Sequence, residues 1–501
     1  MSEAKPKGIS TSLVVAVIVA LIIGVVAGYF IKPTAPAEVK TETVIKTETK
    51  TIEKTIEKTV TATPLVIGPY PTEEEMLTSL KSAKINWRQY EGTSITFIGN
   101  REPNQEAIGK LVPIFEKLTG IKVTYELVEE EELRTKTTLD IVGKTGLYDA
   151  LLIDPMFISK FVEAGGLEDL SKYLYNTKLT DLEWYGWPDD FPKGFRDMGS
   201  YKGVVYGIPL HLSGTLLFWN KEYFKKYGLD PNRPPKTMDE LVKYAAKCHH
   251  PEDGVYGIAM RGVRGSGLNI FIWSCFLKSF GGKWFDEKWR PLLNSTEALN
   301  AVKFYADILR KYGPPGVSTY EWSKILALMQ EGKVAIVIDT PAFGISIEDP
   351  SKSKTAGQWG YAAQPAGPAG ICMDPYSWYV GINSFSKKKE AAWLFIQWLT
   401  SKEVQMKIGG PAMYVSRLSV NNDVRWQKYF PWLKEWQSAL MENVKYADPD
   451  CRVRIPEWPE IGDIAGAALE SVIAGEKTPE DAFNEACARI YEVMKKAGYY
   501  G

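Results

Sequence analysis

From Thr93 onward the chain alternates strand-like and helix-like segments, and that alternation narrows its possible folds more than any other feature of its 501 residues. "SITFIG" (Ser94 to Gly99) is an apolar strand. "NQEAIGKLVPIFEKLTG" (Asn104 to Gly120) has the spacing of an amphipathic helix closed by glycine, and "IKVTYELV" is the next strand. "YDALLID" (Tyr148 to Asp154) reads as a buried strand, and "PMFISKFVEAGGLEDLSKYL" as a helix stopped by glycine with another start behind it. This strand–helix order predicts an α/β fold with a parallel, doubly wound sheet. Ligands of such sheets sit beyond the carboxyl ends of the strands, which singles out Asn100, Arg101, Glu102, Asp154 and Phe157.

Composition bounds the function. With 45% hydrophobic and 24% charged residues the chain is ordinary globular protein, long enough for two or three folding units. Lysine plus arginine (60) nearly cancels aspartate plus glutamate (61), so no global field recruits nucleic acid, an anionic membrane or acidic substrates. The 16 tryptophans and 26 tyrosines suit flat ligand faces such as those of sugars, beyond their use as core filling. Cys248, Cys275, Cys372, Cys451 and Cys487 form no CxxC pair, which speaks against a zinc or redox motif. An exported chain allows one or two disulfides with a thiol left over, and the spacing assigns none. Only His211, His249 and His250 are present, so most of the chain lacks the usual general base. His211 reads as structural, and the other two as the flank of a helix C-terminus. "RGVRGSGLN" (Arg261 to Asn269) lacks the lysine–serine ending of a phosphate loop and reads as a cleft loop. No cofactor and no metal are expected.

The first 92 residues have a different texture. Leu13 to Ile31, "LVVAVIVALIIGVVAGYFI", carries no charge and follows Lys5 and Lys7. At about 1.5 Å per residue it matches a hydrocarbon layer roughly 30 Å thick, so it predicts a transmembrane helix or signal anchor behind a cytoplasmic stretch, residues 1–12. A cleaved secretory signal and a pilin-like signal at "KGISTS" are the competing readings. Residues 32–64 contain no aromatic residue and consist mostly of threonine, lysine and glutamate. Such a segment buries too little to fold alone, and the expectation is a stalk and linker over 32–92 that holds an extracellular globular part off a membrane.

Several phrases together carry a resemblance. "FEKLTGIKVTYELV", "YDALLIDPMFISKFVEAGGLEDLSKYL", "YGIPLHLSGTLLFWNKEYFKKYGLDPNRPPKTMDELVKYA", "EGKVAIVIDTPA" and "WYVGINSFSKKKEAAWLFIQWLTSKEVQ" run in order from about Ser94 to Ala488. They resemble the family 1, sugar-binding type of extracellular solute-binding proteins that feed ABC importers, the family of the maltose-binding protein. The resemblance implies a periplasmic-binding-protein-like fold, in which two α/β lobes joined by three crossings enclose the ligand. The first lobe would comprise 93–212 and 363–400, the second 213–362 and 401–501. The crossings would fall at Ser213 and Gly214, at Ala362 to Gln364, and at Thr400 and Ser401. A glycine such as Gly214 absorbs the dihedral change of hinge closure.

The same resemblance nominates Trp378, in "PYSWYVGIN", as a stacking platform and places Trp458 near a second one. Phe157 stands where relatives often carry tryptophan. Ala342 replaces an aromatic of the maltose binder, so maltodextrin specificity does not carry over. The implied function is capture of a sugar, oligosaccharide or polyol by lobe closure and delivery to ABC permease subunits and, through them, an ATPase. A membrane-anchored glycosidase using Glu102 and Asp154 as paired carboxylates, and a sensory ectodomain, are the alternatives.

Overall fold

The computed structural model describes residues 71–265, 267–410 and 414–500. The apolar run over 13–31 and the threonine-rich stretch over 32–64 lie outside them. Among the described residues no helix is long and apolar enough to cross a membrane.

The described chain opens with helix α1 (Glu73–Ser82), inside the region expected to be linker. Thr72 and Glu75 form a reciprocal capping box: the Thr72 hydroxyl accepts the Glu75 N–H at 3.2 Å, and the Glu75 carboxylate accepts the Thr72 N–H at 2.7 Å. Met76 and Leu80 bury its apolar side. The folded part therefore begins before Thr93, because a helix with two large apolar residues and a complete cap has a face to dock.

Strand β1 (Ser94–Asn100) follows. The single helix expected over 104–120 is two, α2 (Pro103–Gly109) and α3 (Val112–Thr119). Pro113, in the first turn of α3, has no N–H to continue the α2 ladder, and Gly120 ends α3 at φ 72°. Then come β2 (Lys122–Val128), α4 (Glu130–Gly143), β3 (Ala150–Ile153), β4 (Ile208–Pro209) and β5 (Leu216–Asn220). Next are β6 (Tyr256–Ala259), α5 (Asn269–Ser279), α6 (Thr296–Tyr312, capped by Ser295), β7 (Val334–Asp339), β8 (Trp359–Ala362) and β9 (Tyr379–Ile382). Helices α7 (Lys389–Leu399), α8 (Lys402–Lys407), α9 (Leu418–Asn421), α10 (Leu433–Val444), α11 (Trp458–Ala474) and α12 (Pro479–Lys496) complete the series.

The strands form two main sheets. The first has the order β2-β1-β3-β9-β4, and the second β8-β5-β7-β6. In the first sheet β1 runs parallel to β2 and β3, but β9 is antiparallel to β3, with Tyr379 opposite Ile153. The fully parallel sheet expected from the strand–helix order is therefore mixed. The reason is the path: β9 is entered from the end where β3 finishes, with no crossover helix before it, so it runs back against its neighbour. In the second sheet β5 likewise starts where β7 ends, with Leu216 opposite Asp339.

Two segments pass between the sheets side by side. The Ser213 N–H donates to the Tyr376 carbonyl at 3.0 Å, and the Tyr376 N–H returns to the Ser213 carbonyl at 3.1 Å. Gly214, at φ 153°, has Met373 Cε and the Asp374 carbonyl where a Cβ would stand, at 2.3 and 2.7 Å, so only glycine lets these segments lie this close. Gln364 is buried, its side-chain amide donating to the Thr215 hydroxyl.

The third passage lies later than Thr400 and Ser401. Ser401 caps α8, and α8 packs on α1, α7 and α9. The Arg417 guanidinium donates to the Thr400 carbonyl at 2.6 Å and to the Tyr185 carbonyl. The chain therefore stays with the first sheet through α9, and only α10 packs on β8. Ser401 is the kind of residue a crossing or a helix cap can use equally, and burial of Arg417 against aromatic rings holds the following segment in place.

Candidate functional site

The carboxyl ends of β1 and β3 and the extended lead-in to β9 converge on one cluster. Asn100, the last residue of β1, is buried, and its amide donates to Glu102 Oε1 at 2.8 Å. The Trp378 indole N–H donates to the same oxygen at 2.9 Å. Two buried acceptors, Glu102 Oε2 and Asn100 Oδ1, have no hydrogen-bond partner among the described residues. Beside them Asp154 caps the turn after β3, its Oδ1 accepting the Met156 N–H at 2.9 Å. Its Oδ2 takes two donors from Arg134 of α4, at 3.1 and 2.6 Å.

Aromatic rings close the cluster. The Arg134 guanidinium lies 6.0 Å from the centre of the Trp378 ring. Tyr376 meets Trp378 edge-on at 6.2 Å and Phe271 of α5 at 5.8 Å, so it bridges a residue of each sheet's surroundings. The guanidinium groups of Arg261 and Arg452 both lie over the Phe271 ring, at 5.1 and 5.2 Å from its centre. Arg261, from the glycine-rich loop, forks onto Asp339 at the end of β7 with contacts of 3.1, 3.0 and 2.5 Å. On the other flank His211 packs edge-on against Tyr414 at 5.0 Å and meets the Asn104 amide.

Burial sets the charge states. It pushes the Glu102 carboxyl up to about 7 against the pull of the Asn100 and Trp378 donors, and the nearby Glu130 adds to the rise. Glu130 is itself raised, again chiefly by burial. Burial opposes the Arg134 cation, but Asp154 and Glu130 outweigh it and hold the guanidinium firmly protonated. Burial lowers His211 to about 3, so it is neutral at physiological pH. The Tyr376 hydroxyl is held well above its usual range, by burial first and then by Asp154 and Glu130.

The Glu102 shift makes a measurable statement. Its carboxyl ionises near 4.5 in the unfolded chain and near 7 in the folded one, so between those values the folded chain holds the extra proton. Stability contributed by this group is complete below pH 4.5 and is lost as pH rises to 7. The unfolding midpoint is expected to fall more steeply across that window in the native chain than in Glu102→Gln. Parallel slopes would mean that water reaches the carboxyl and leaves it unshifted.

Asn100, Glu102, Asp154 and Trp378 thus meet at one place. Arg101 does not join them: its half-exposed side chain donates to the Leu127 carbonyl at 3.1 Å and lies 3.6 Å from Glu129. Phe157 packs at a tilt against Phe161, ring centres 5.6 Å apart, with Lys160 over its face. Trp458, at the start of α11, is buried edge-on against Trp284 at 4.8 Å, in packing that belongs to the helices around the second sheet. Arg134, Tyr376, Tyr414 and Asn104 escape sequence reasoning. Arg134 sits in "EEELRTK", which reads as a solvated charged face. Tyr376 alone carried a usable signal, because in extended backbone it shares a side with Trp378 two residues on. Among the described residues no group of His, Cys, Asp and Glu is arranged to hold a metal.

Comparison with known proteins agrees with this architecture. The mannitol-binding protein of Pseudomonas aeruginosa is 28% identical over 408 residues, covering 78% of this chain and 90% of that protein. An ABC-transporter solute-binding protein from Agrobacterium vitis, solved with bound D-mannitol, superposes with a TM-score of 0.69 at 31% identity, over 82% of this chain and all of that one. A solute-binding protein from Agrobacterium radiobacter, solved with ribitol, gives 0.70 at 27% identity, over 80% of this chain and 99% of that one. The profile of the family described as bacterial extracellular solute-binding protein matches residues 99–406, more than half the chain. With β2, β3 and β9 inside that span and the periplasmic-binding-protein-like fold around them, the chain belongs to the bacterial extracellular solute-binding proteins.

Proposed function

We propose that this chain is the extracellular substrate-binding subunit of an ABC importer and that it captures a polyol of four to six carbons, or a sugar of similar size, between two closing lobes. The observation that carries the reading is the pair of buried acceptors, Asn100 Oδ1 and Glu102 Oε2, which lack protein donors beside Trp378 and Tyr376. A polyol is a row of hydroxyl donors on an aliphatic chain, so it satisfies such oxygens while its C–H face meets the rings. The ligands named for the relatives, mannitol, ribitol and erythritol or threitol, support this class. The first lobe is built on the β1 sheet and the second on the β5 sheet, with Ser213, Gly214 and Gln364 in the crossings.

Glu102 and Asp154 then need no catalytic role. Glu102 is bound to Asn100 and Trp378, and Asp154 to Arg134, an assignment that accounts for both carboxylates without an acid–base pair. Closure presents the surface that a permease reads, and residues 13–31 with the stretch behind them tether the receptor at the membrane.

The test is a thermal-shift series on the full chain with D-mannitol, ribitol, erythritol, glucose and maltose, followed by calorimetry and recovery of the ligand. A polyol or monosaccharide at about a hundred times its Kd is expected to add about 2.7 kcal/mol of stability and to be recovered intact. A response confined to maltose would remove the small-polyol reading, and a cleaved product would turn the carboxylates into catalysts.

A further inference from the structure

All five cysteines are buried, and three of them come from distant parts of the chain to form a cluster of their own: Cys275 of α5, Cys372 of the second passage and Cys451 of the loop after α10. The Cys372 and Cys451 sulfurs are 3.5 Å apart, in van der Waals contact. We propose that Cys372 and Cys451 are a redox pair that closes as a disulfide in the extracellular protein. The inference stands independently of what the cleft binds.

The two backbones are already fixed against each other. The Met373 N–H donates to the Tyr446 carbonyl and the Asp448 N–H to the Met373 carbonyl, both at 3.0 Å. Two residues beyond Cys372, Asp374 pairs with Arg452, the neighbour of Cys451, at 2.5 Å. The thiols are therefore a third link between segments that a backbone bridge and an ion pair hold in register, and closing the bond asks for a small approach of the sulfurs toward about 2.05 Å. Cys275 is the less suited partner. Its sulfur also lies within hydrogen-bond reach of the Cys372 and Cys451 sulfurs, but it is already engaged: it accepts the Asp374 N–H at 3.2 Å and lies 3.5 Å from the Thr215 hydroxyl.

The chemistry is thiol–disulfide exchange with an external disulfide, either a disulfide-donating oxidoreductase or a low-molecular-mass disulfide. Cys372, 6% exposed where the other two are fully buried, is the entry point. Its thiol, which Cys275 and burial hold protonated, gives up its proton to solvent as the sulfur attacks one sulfur of the donor and expels the first donor thiol. Cys451 then displaces the second donor thiol from Cys372. Two protein thiols are oxidised, one donor disulfide is reduced to two thiols, and no other electron acceptor is needed. The extracellular setting of the family supplies the oxidising conditions in which such a bond persists. The bond would close a loop between positions 79 apart and staple the passage that carries Asp374 and Tyr376 to the helices around the second sheet.

The experiment uses the full chain, purified reduced and then treated with oxidised glutathione. Thiols are counted by alkylation of the denatured protein and intact mass, and linked peptides are mapped. Three alkylated thiols are expected, the five of the sequence less the two bridged, together with one peptide joining Cys372 to Cys451. The unfolding midpoint is expected to rise by about 5 °C on oxidation and to return with dithiothreitol. Cys451→Ala is expected to keep all of its thiols under the same treatment. If that variant fails to fold, the peptide map of the native chain decides alone. Five thiols after oxidation, glutathione adducts that never resolve, or a bridge to Cys275 would each overturn the proposal.

Discussion

Glu102→Ala is expected to weaken binding of the responding polyol or sugar about a hundredfold, measured by calorimetry at pH 8. One oxygen of Glu102 is the free acceptor, and a hydrogen bond to an ionised carboxylate is worth about 1.5–3 kcal/mol, roughly ten- to a hundredfold or somewhat more. The other oxygen collects the Asn100 and Trp378 donors at 2.8 and 2.9 Å, so its removal also frees the two side chains that shape the floor. Glu102→Gln, which retains an acceptor but loses the charge, is expected to cost about tenfold. Neither change is expected to unfold the protein at pH 8, because the native state bears the cost of keeping this buried carboxylate ionised above pH 7. An alanine variant that folds and binds as tightly as the native chain would take Glu102 out of the site.

The largest stability effect is expected at Asp374. Asp374 and Arg452 are both fully buried, in ion-pair contact at 2.5 Å, and Arg452 Nη2 donates to Oδ1 at 3.1 Å. Burial pushes the Asp374 carboxyl up to about 7, against the pull of Arg452. Asp374→Ala deprives a buried guanidinium of its carboxylate, at a cost of about 3–5 kcal/mol, and the unfolding midpoint is expected to drop by roughly 3–6 °C. Glu183→Ala is the control. Its pair with Lys84 spans 3.3 Å between side chains 77% and 86% exposed, and solvent screening leaves such a pair about 0–1 kcal/mol. The double change Asp374→Leu with Arg452→Met is expected to regain much of the loss, since apolar groups of similar volume need no counter-charge. Equal midpoints for Asp374→Ala and Glu183→Ala would show that water reaches the Asp374 pair.

Both predictions concern residues that the sequence exposes unequally. Glu102 is legible because it follows a strand whose apolar run is unmistakable, and α/β sheets place ligands at strand ends. Asp374 and Arg452 are 78 positions apart, and no local pattern links them. Arg134 looks like any residue of a charged helix until Asp154 is found beneath it. Trp458 shows the converse: a tryptophan near a motif is as often a core residue, and Trp284 on a distant segment decided which.

The sequence alone determined the alternation of strands and helices, the glycine stop at Gly120, and the family to which the order of its phrases belongs. These depend on interactions within a few residues, or on patterns of burial that repeat along one element. Tertiary structure decided the reversed direction of β9, the late third passage after α9, the meeting of Arg134 and Tyr376 with Glu102, and the contact of Cys372 with Cys451. Each requires segments separated by tens to hundreds of residues to be packed together. That packing is a property of the whole buried core, which no short stretch of chain encodes.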